Sequence, residues 1–100
     1  MRDELLATMG EVLWSDLQAH AKRDAIIVVG AALDLLDVGE AVAKNEAGRV
    51  EAWIQSGQIR KPTADDLRRW PADPGARFLS LIVQPFVLIR PVLRLDPTSN

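Results

Sequence analysis

The chain contains no cysteine and no tyrosine, a single histidine and little net charge. Without cysteine there is no disulfide, no thiolate metal ligand and no cysteine nucleophile. A formal charge of −2 at pH 7 argues against a general nucleic-acid coat or a protein that sits on anionic membranes. No apolar run reaches the ~20 residues of a spanning helix. Pro85, Arg90, Pro91 and Arg94 interrupt the C-terminal apolar stretch first. The opening residues, Met1-Arg2-Asp3-Glu4-Leu5, lack the apolar core of a signal peptide. The expectation is a cytoplasmic protein with no membrane partner.

What remains is 100 residues, 48% of them apolar, enough for one modest core without covalent staples. The reading is a single domain over 1–95 and a flexible tail over 96–100. The strongest strand signal is the apolar run from Phe78 to Ile89, with Pro85 in its middle. Ala25-Ile26-Ile27-Val28-Val29 is the second, continuous rather than alternating, as in a strand covered on both faces. Gln58-Ile59-Arg60 offers a short third.

Between them the period is helical. Leu5, Leu6 and Met9 mark a first helix that Gly10 breaks. Leu13, Leu17 and Ala21 give a stripe for a second, from about Glu11 to Lys22. Leu35, Val38 and Val42 share a face of a third, ended at Asn45. Val50, Trp53 and Ile54 turn inward on a fourth, Glu46 to Ser56, closed by Gly57 in a left-handed turn. Thr63 is placed to cap the amide of Asp66 in a last helix with Leu67 and Trp70 inward, stopped by Pro71. The fold class is therefore α+β: a small sheet from 25–29 and 78–89, joined by 58–60, under four or five short helices. Proline cannot donate to a sheet ladder, so Pro85 belongs at an edge or a bulge. A bare apolar edge there needs cover: a helix, a loop, or a second copy of the chain in a homodimer through this C-terminal strand.

Three clusters could carry chemistry. His20, Lys22, Arg23 and Asp24 form the densest, at a helix-to-strand junction. His20 is the only side chain with an ordinary proton affinity near neutrality, and a helix running through this segment sets Asp16 one turn away. General-base chemistry or anion binding is one reading. The other, favoured because no nucleophile accompanies the histidine, is a helix C-terminus whose basic residues suit the dipole. Asp34, Asp37 and Glu40 do not follow a calcium-loop spacing and read as helix-start carboxylates. Val38 to Ile59 resembles the helix-turn-helix of winged-helix and excisionase-like regulators, with Arg49, Arg60 and Lys61 as candidate nucleic-acid contacts. From Asp37 to Lys61 the acids (Asp37, Glu40, Glu46, Glu51) balance the bases (Lys44, Arg49, Arg60, Lys61), so the segment offers little of the phosphate neutralisation that DNA affinity needs. Trp14, Trp53 and Trp70 read as core residues on three helices.

Taken together, Trp14, Leu17, His20-Ala21-Lys22-Arg23-Asp24, Ile27 to Val29, Leu33-Asp34-Leu35, Val50-x-x-Trp53-Ile54, Lys61-Pro62-Thr63, Trp70 and Leu81 to Leu88 resemble a family of small bacterial proteins known as domain of unknown function 2288. The resemblance spans about Asp3 to Ile89 and implies no activity. The expected function is a non-enzymatic binding or protein-interaction module without cofactor or metal, its partner an unknown protein or small ligand. The alternative is a DNA-binding winged helix, and a catalytic site around His20 comes third.

Overall fold

The computed structural model describes residues 2–92. In chain order the elements are α1 (Arg2–Thr8), β1 (Gly10–Leu13), α2 (Trp14–Lys22), β2 (Ile26–Val29), α3 (Leu35–Ala43), α4 (Ala47–Gln55), β3 (Ile59–Arg60), α5 (Ala64–Ala72), β4 (Arg77–Val83) and β5 (Phe86–Pro91). The strands form one sheet in the order β1-β4-β5-β2-β3. β2 and β5 run parallel, while the β1–β4, β4–β5 and β2–β3 pairs are antiparallel. The α+β class, the sheet and the five helices follow the sequence reading. The expected tail, 96–100, lies outside the described residues.

Side chains alternate across the sheet, and two cores result. On one face Val29, Ile59, Leu81, Val83 and Leu88 meet Leu5 of α1 and Leu35 and Val38 of α3, with Val50 and Trp53 of α4 packed alongside. On the other, Ile26, Val28, Phe78, Val87 and Ile89 meet Trp14 and Leu17 of α2 and Trp70 of α5. β2 is thus covered on both sides, which explains its unbroken Ile-Ile-Val-Val. On α3, Gly39 lets the helix approach β4: a Cβ there would lie 2.5 Å from Leu81 Cδ2. Asn45 (φ 58°) and Gly57 (φ 78°) both adopt the left-handed conformation that ends a helix; the sequence position of Gly57 predicts that conformation, and that of Asn45 a helix end.

Four expectations change. Glu11 to Leu13 is not helical. With Gly10 these residues pair along β4 in register with Ser80 to Arg77, and the Asp16 carboxylate accepts the Leu13 amide at 3.0 Å, so the helix starts at Trp14. Asp16 therefore serves the helix start and not His20. Pro85 lies neither on a strand edge nor in a bulge: Gln84 and Pro85, joined by a cis peptide, form the two-residue connection between β4 and β5. Pro71 sits inside the last turn of α5 rather than ending it, and Ile54 (55% exposed) and Leu67 (43%) point outward.

The fourth change concerns the partner. β4 is flanked by β1 and β5, and β5 by β4 and β2, so the apolar C-terminal strands have no bare edge for a second copy to pair with. The real edges are blunt in the way that discourages pairing. β1 is four residues long with its last amide taken by Asp16, and β3 is two residues long and followed by Pro62. No helix among the described residues is long and apolar enough to cross a membrane.

Candidate functional site

The histidine cluster lies at the amino end of β2. The amides of Arg23 and Ala25 both donate to the His20 carbonyl, at 3.2 and 3.0 Å, winding the chain off the end of α2. The Arg23 guanidinium rests on His20 Nδ1. Lys22 is exposed, and Asp24 takes a positive φ of 59° while pairing with Lys61 Nζ at 2.9 Å. The four residues share a turn. The cavity nearest them, about 40 Å³, has Asp24 on its wall together with Ala21, Ile26, Pro62 and Leu67.

The nucleic-acid candidates are each held by a different carboxylate. Arg49 bonds Glu46 at 3.3 Å and lies 5.0 Å above the Trp53 ring. Arg60 bonds Asp66 at 2.8 Å, and Lys61 bonds Asp24. A wing would need a hairpin after α4. Instead β3 pairs with β2 and leads straight into α5, so nothing here supports the DNA-binding reading. Asp34 and Asp37 stand at the start of α3, as expected, with Asp34 accepting the Leu36 amide at 2.8 Å; Glu40 lies further along the helix, and it and Asp37 pair with Arg2. Among the described residues no group of three or more His, Asp or Glu side chains could hold a metal ion.

Asp66 anchors the most completely bonded polar node. Its carboxylate accepts the Thr63 amide at 3.0 Å, Arg60 at 2.8 Å and Arg69 at 3.1 Å, while the Thr63 hydroxyl accepts the Asp66 amide at 3.0 Å. Burial pushes this carboxyl up, but the Thr63 amide and the two guanidinium groups outweigh it and hold the group down at about 2. The node is saturated, and it fixes the start of α5 against β3.

The sequence reading missed a crevice at the other end of β2. There the parallel strands β2 and β5 reach their carboxyl ends together, and the chain leaves the sheet at Gly30. β3 and its lead-in, from Gly57 to Arg60, form one wall; Arg90 to Val92 form the other, with Leu79 beside them. The space is about 750 Å³. The Gly30 amide donates to Gln58 O at 2.7 Å, and a Cβ on Gly30 would lie only 3.0 Å from that oxygen, so this narrow floor suits glycine. Arg90 reaches from β5 to the loop beyond Gly30, donating to Leu33 O at 2.8 Å. Concave sites outside the carboxyl ends of parallel strands are the usual ligand positions in open sheets. The only sequence signals were a glycine directly after an apolar strand and an arginine directly after another.

A second concavity, about 550 Å³, lies between α3, α4 and the start of β5, lined by Ile27, Val42, Val50, Ile54 and Phe86 among others. Three charged residues on its rim are bonded to neighbours, Glu46 to Arg49, Lys61 to Asp24 and Glu51 to Gln55, so little there selects a ligand.

No curated protein matches the chain. Among solved structures it is similar to the NMR solution structure of PA1075 from Pseudomonas aeruginosa, at 32% identity and a TM-score of 0.77, over 90% of this chain and 82% of that one. That likeness accords with the fold described above. The family model described as protein of unknown function (DUF2288) matches residues 1–91, and the chain belongs to that family.

Proposed function

We propose that this protein is a non-catalytic binding module whose site is the crevice at the carboxyl ends of β2 and β5. The observation that carries the reading is the convergence of the Gly30 floor, the Gln58 wall and the Arg90 side chain around one preformed concave space. Strand backbone rather than a long loop builds most of it, so binding costs little ordering. The crevice brings together no nucleophile and base. His20, the one histidine, stands at the opposite end of β2.

The test is an amide-resolved NMR titration of the full chain with four simple probes: acetate, inorganic phosphate, methylammonium and a short alcohol, each also offered with a longer apolar tail where the chemistry allows. The expected result is saturable movement of the Gly30, Ala31 and Gln58 amides with at least one class. Movement confined to the α3–α4 groove or to the His20 turn, or no saturable movement with any class, overturns the reading.

A further inference from the structure

Resting on that crevice reading, we infer that the ligand is an amphipathic monoanion, a carboxylate carried on an apolar chain, with Arg90 as the group that reads the carboxylate. Two arginines line the crevice, and they differ in what already holds them. Arg60 is neutralised by the buried Asp66 at 2.8 Å. Arg90 is half-buried, and among the described residues its partner is a backbone carbonyl, Leu33 O at 2.8 Å. A guanidinium has five N–H donors in a planar fork. One bond to Leu33 fixes its position and leaves donors for a planar carboxylate, which takes two parallel bonds from such a fork.

The charge of the ligand follows from what surrounds this arginine. A phosphate dianion is usually met by several backbone amides or a free helix N-terminus. The nearest helix start, that of α3, is already occupied: the Asp34 carboxylate takes the Leu36 amide at 2.8 Å and sets a negative charge beside the Gly30–Asp34 loop. One guanidinium without a carboxylate partner among the described residues matches one negative charge better than two. Apart from Gln58 and the paired Arg60, the remaining side chains of the crevice are apolar, with Val29, Leu79 and Val92 on its walls and Pro91 at its lip. Leu79 pairs with Arg90 in the β4–β5 register, so the apolar surface begins beside the charge. A carboxylate bonded to Arg90 would lay its chain along that surface.

The test is an amide-resolved NMR titration of the full chain with sodium octanoate, 1-octanol and inorganic phosphate, repeated on Arg90→Gln. Glutamine keeps a donor for Leu33 O and removes the charge. Octanoate is expected to move the Gly30, Ala31 and Gln58 amides saturably. Octanol, and octanoate on Arg90→Gln, should bind about tenfold or more weakly, the scale of a lost charge-assisted hydrogen bond. Octanol binding as well as octanoate overturns the carboxylate anchor and leaves the crevice standing. Phosphate binding as well as octanoate overturns the apolar chain. No movement at the crevice with any probe takes down the crevice reading itself. If Arg90→Gln loses its dispersed spectrum, Ala31→Trp decides. Ala31 is exposed and lines the crevice, so a tryptophan there narrows it while the Arg90 guanidinium is retained. Undiminished octanoate binding by that variant overturns the proposal, and its loss with the fold intact supports it.

Discussion

On one side of the sheet, α2 and α5 press Trp14 and Trp70 against Phe78, with ring centroids 5.3, 6.0 and 5.0 Å apart. On the other, α1, α3 and α4 lay mostly aliphatic side chains over Leu81, Val83 and Leu88. Two helices suffice on the first face because three aromatic rings fill the volume between them. The second face uses three helices, and Leu79 near its end is only half-buried, on the wall of the crevice that holds Arg90. One face is thus sealed by rings and the other leaves a crevice at its end, and the difference can be broken at named residues.

The largest effect is expected on the aromatic face. Trp70 is 9% exposed and touches both other rings, so Trp70→Ala leaves a void that neither helix can close. The expected loss is about 3–5 kcal/mol, read from the urea midpoint. A loss under about 1 kcal/mol would mean that α5 collapses onto the sheet and that the rings are not what seals this face.

Next is the node that locks α5 to β3. Asp66 is 4% exposed, and its carboxyl is held at about 2 against an ordinary 3.8. A carboxyl depressed on folding contributes stability that is fully present above the unfolded value. That stability is lost as pH falls through the folded one. The displacement corresponds to about 2 kcal/mol, so wild-type stability should decline by that amount between pH 5 and pH 2 from this group alone. Asp66→Asn should be destabilised by about 2–3 kcal/mol at pH 7 and show a correspondingly shallower acid limb. An unchanged acid limb would show that other carboxylates carry the pH dependence.

On the aliphatic face the test is of close approach. Gly39 is buried, and Leu81, whose methyl a new Cβ would strike, is fully buried as well, so the leucine has little room to give. Overpacking costs about 1–3 kcal/mol, while alanine regains up to about 1 kcal/mol of helix propensity. Gly39→Ala should therefore be destabilising by about 1 kcal/mol. A stabilised variant would mean that α3 rides further from β4 than the 2.5 Å clash implies.

Much of this was legible from local pattern. The apolar run at 26–29, the Thr63 cap, the helix end at Asn45, the left-handed Gly57 and the inward Trp14 and Trp70 are each decided by their own neighbours in sequence. β1 was not legible, because Glu11-Val12-Leu13 carries the same apolar spacing as the helix that follows. Only the pairing with β4 and the Asp16 cap separate them. The homodimer edge failed for a similar reason: strand order is a long-range property, and β1 and β2 arrive at β4 and β5 from distant parts of the chain. Likewise the densest polar cluster in the sequence, His20 to Asp24, makes a turn. The crevice instead joins Gly30, Gln58 and Arg90, which no spacing rule connects, and the parallel β2–β5 pair is what brings two of them together.

The smallest effect is expected at Leu79, at the open end of the aliphatic face. Leu81 and Leu79 lie two residues apart on β4 and point to the same face, but Leu81 is fully buried under α1 and α3 while Leu79 lines the crevice. Leu81→Ala should cost about 2–5 kcal/mol. Leu79→Ala exchanges a half-wetted side chain for a slightly wider crevice, so the transfer loss is partial and the void is open to water; about 1 kcal/mol is expected. Comparing the two urea midpoints measures directly how far the helices cover this face. Equal losses would mean that the Leu79 end is as tightly closed as the centre, and a crevice there could not admit a ligand without opening the fold.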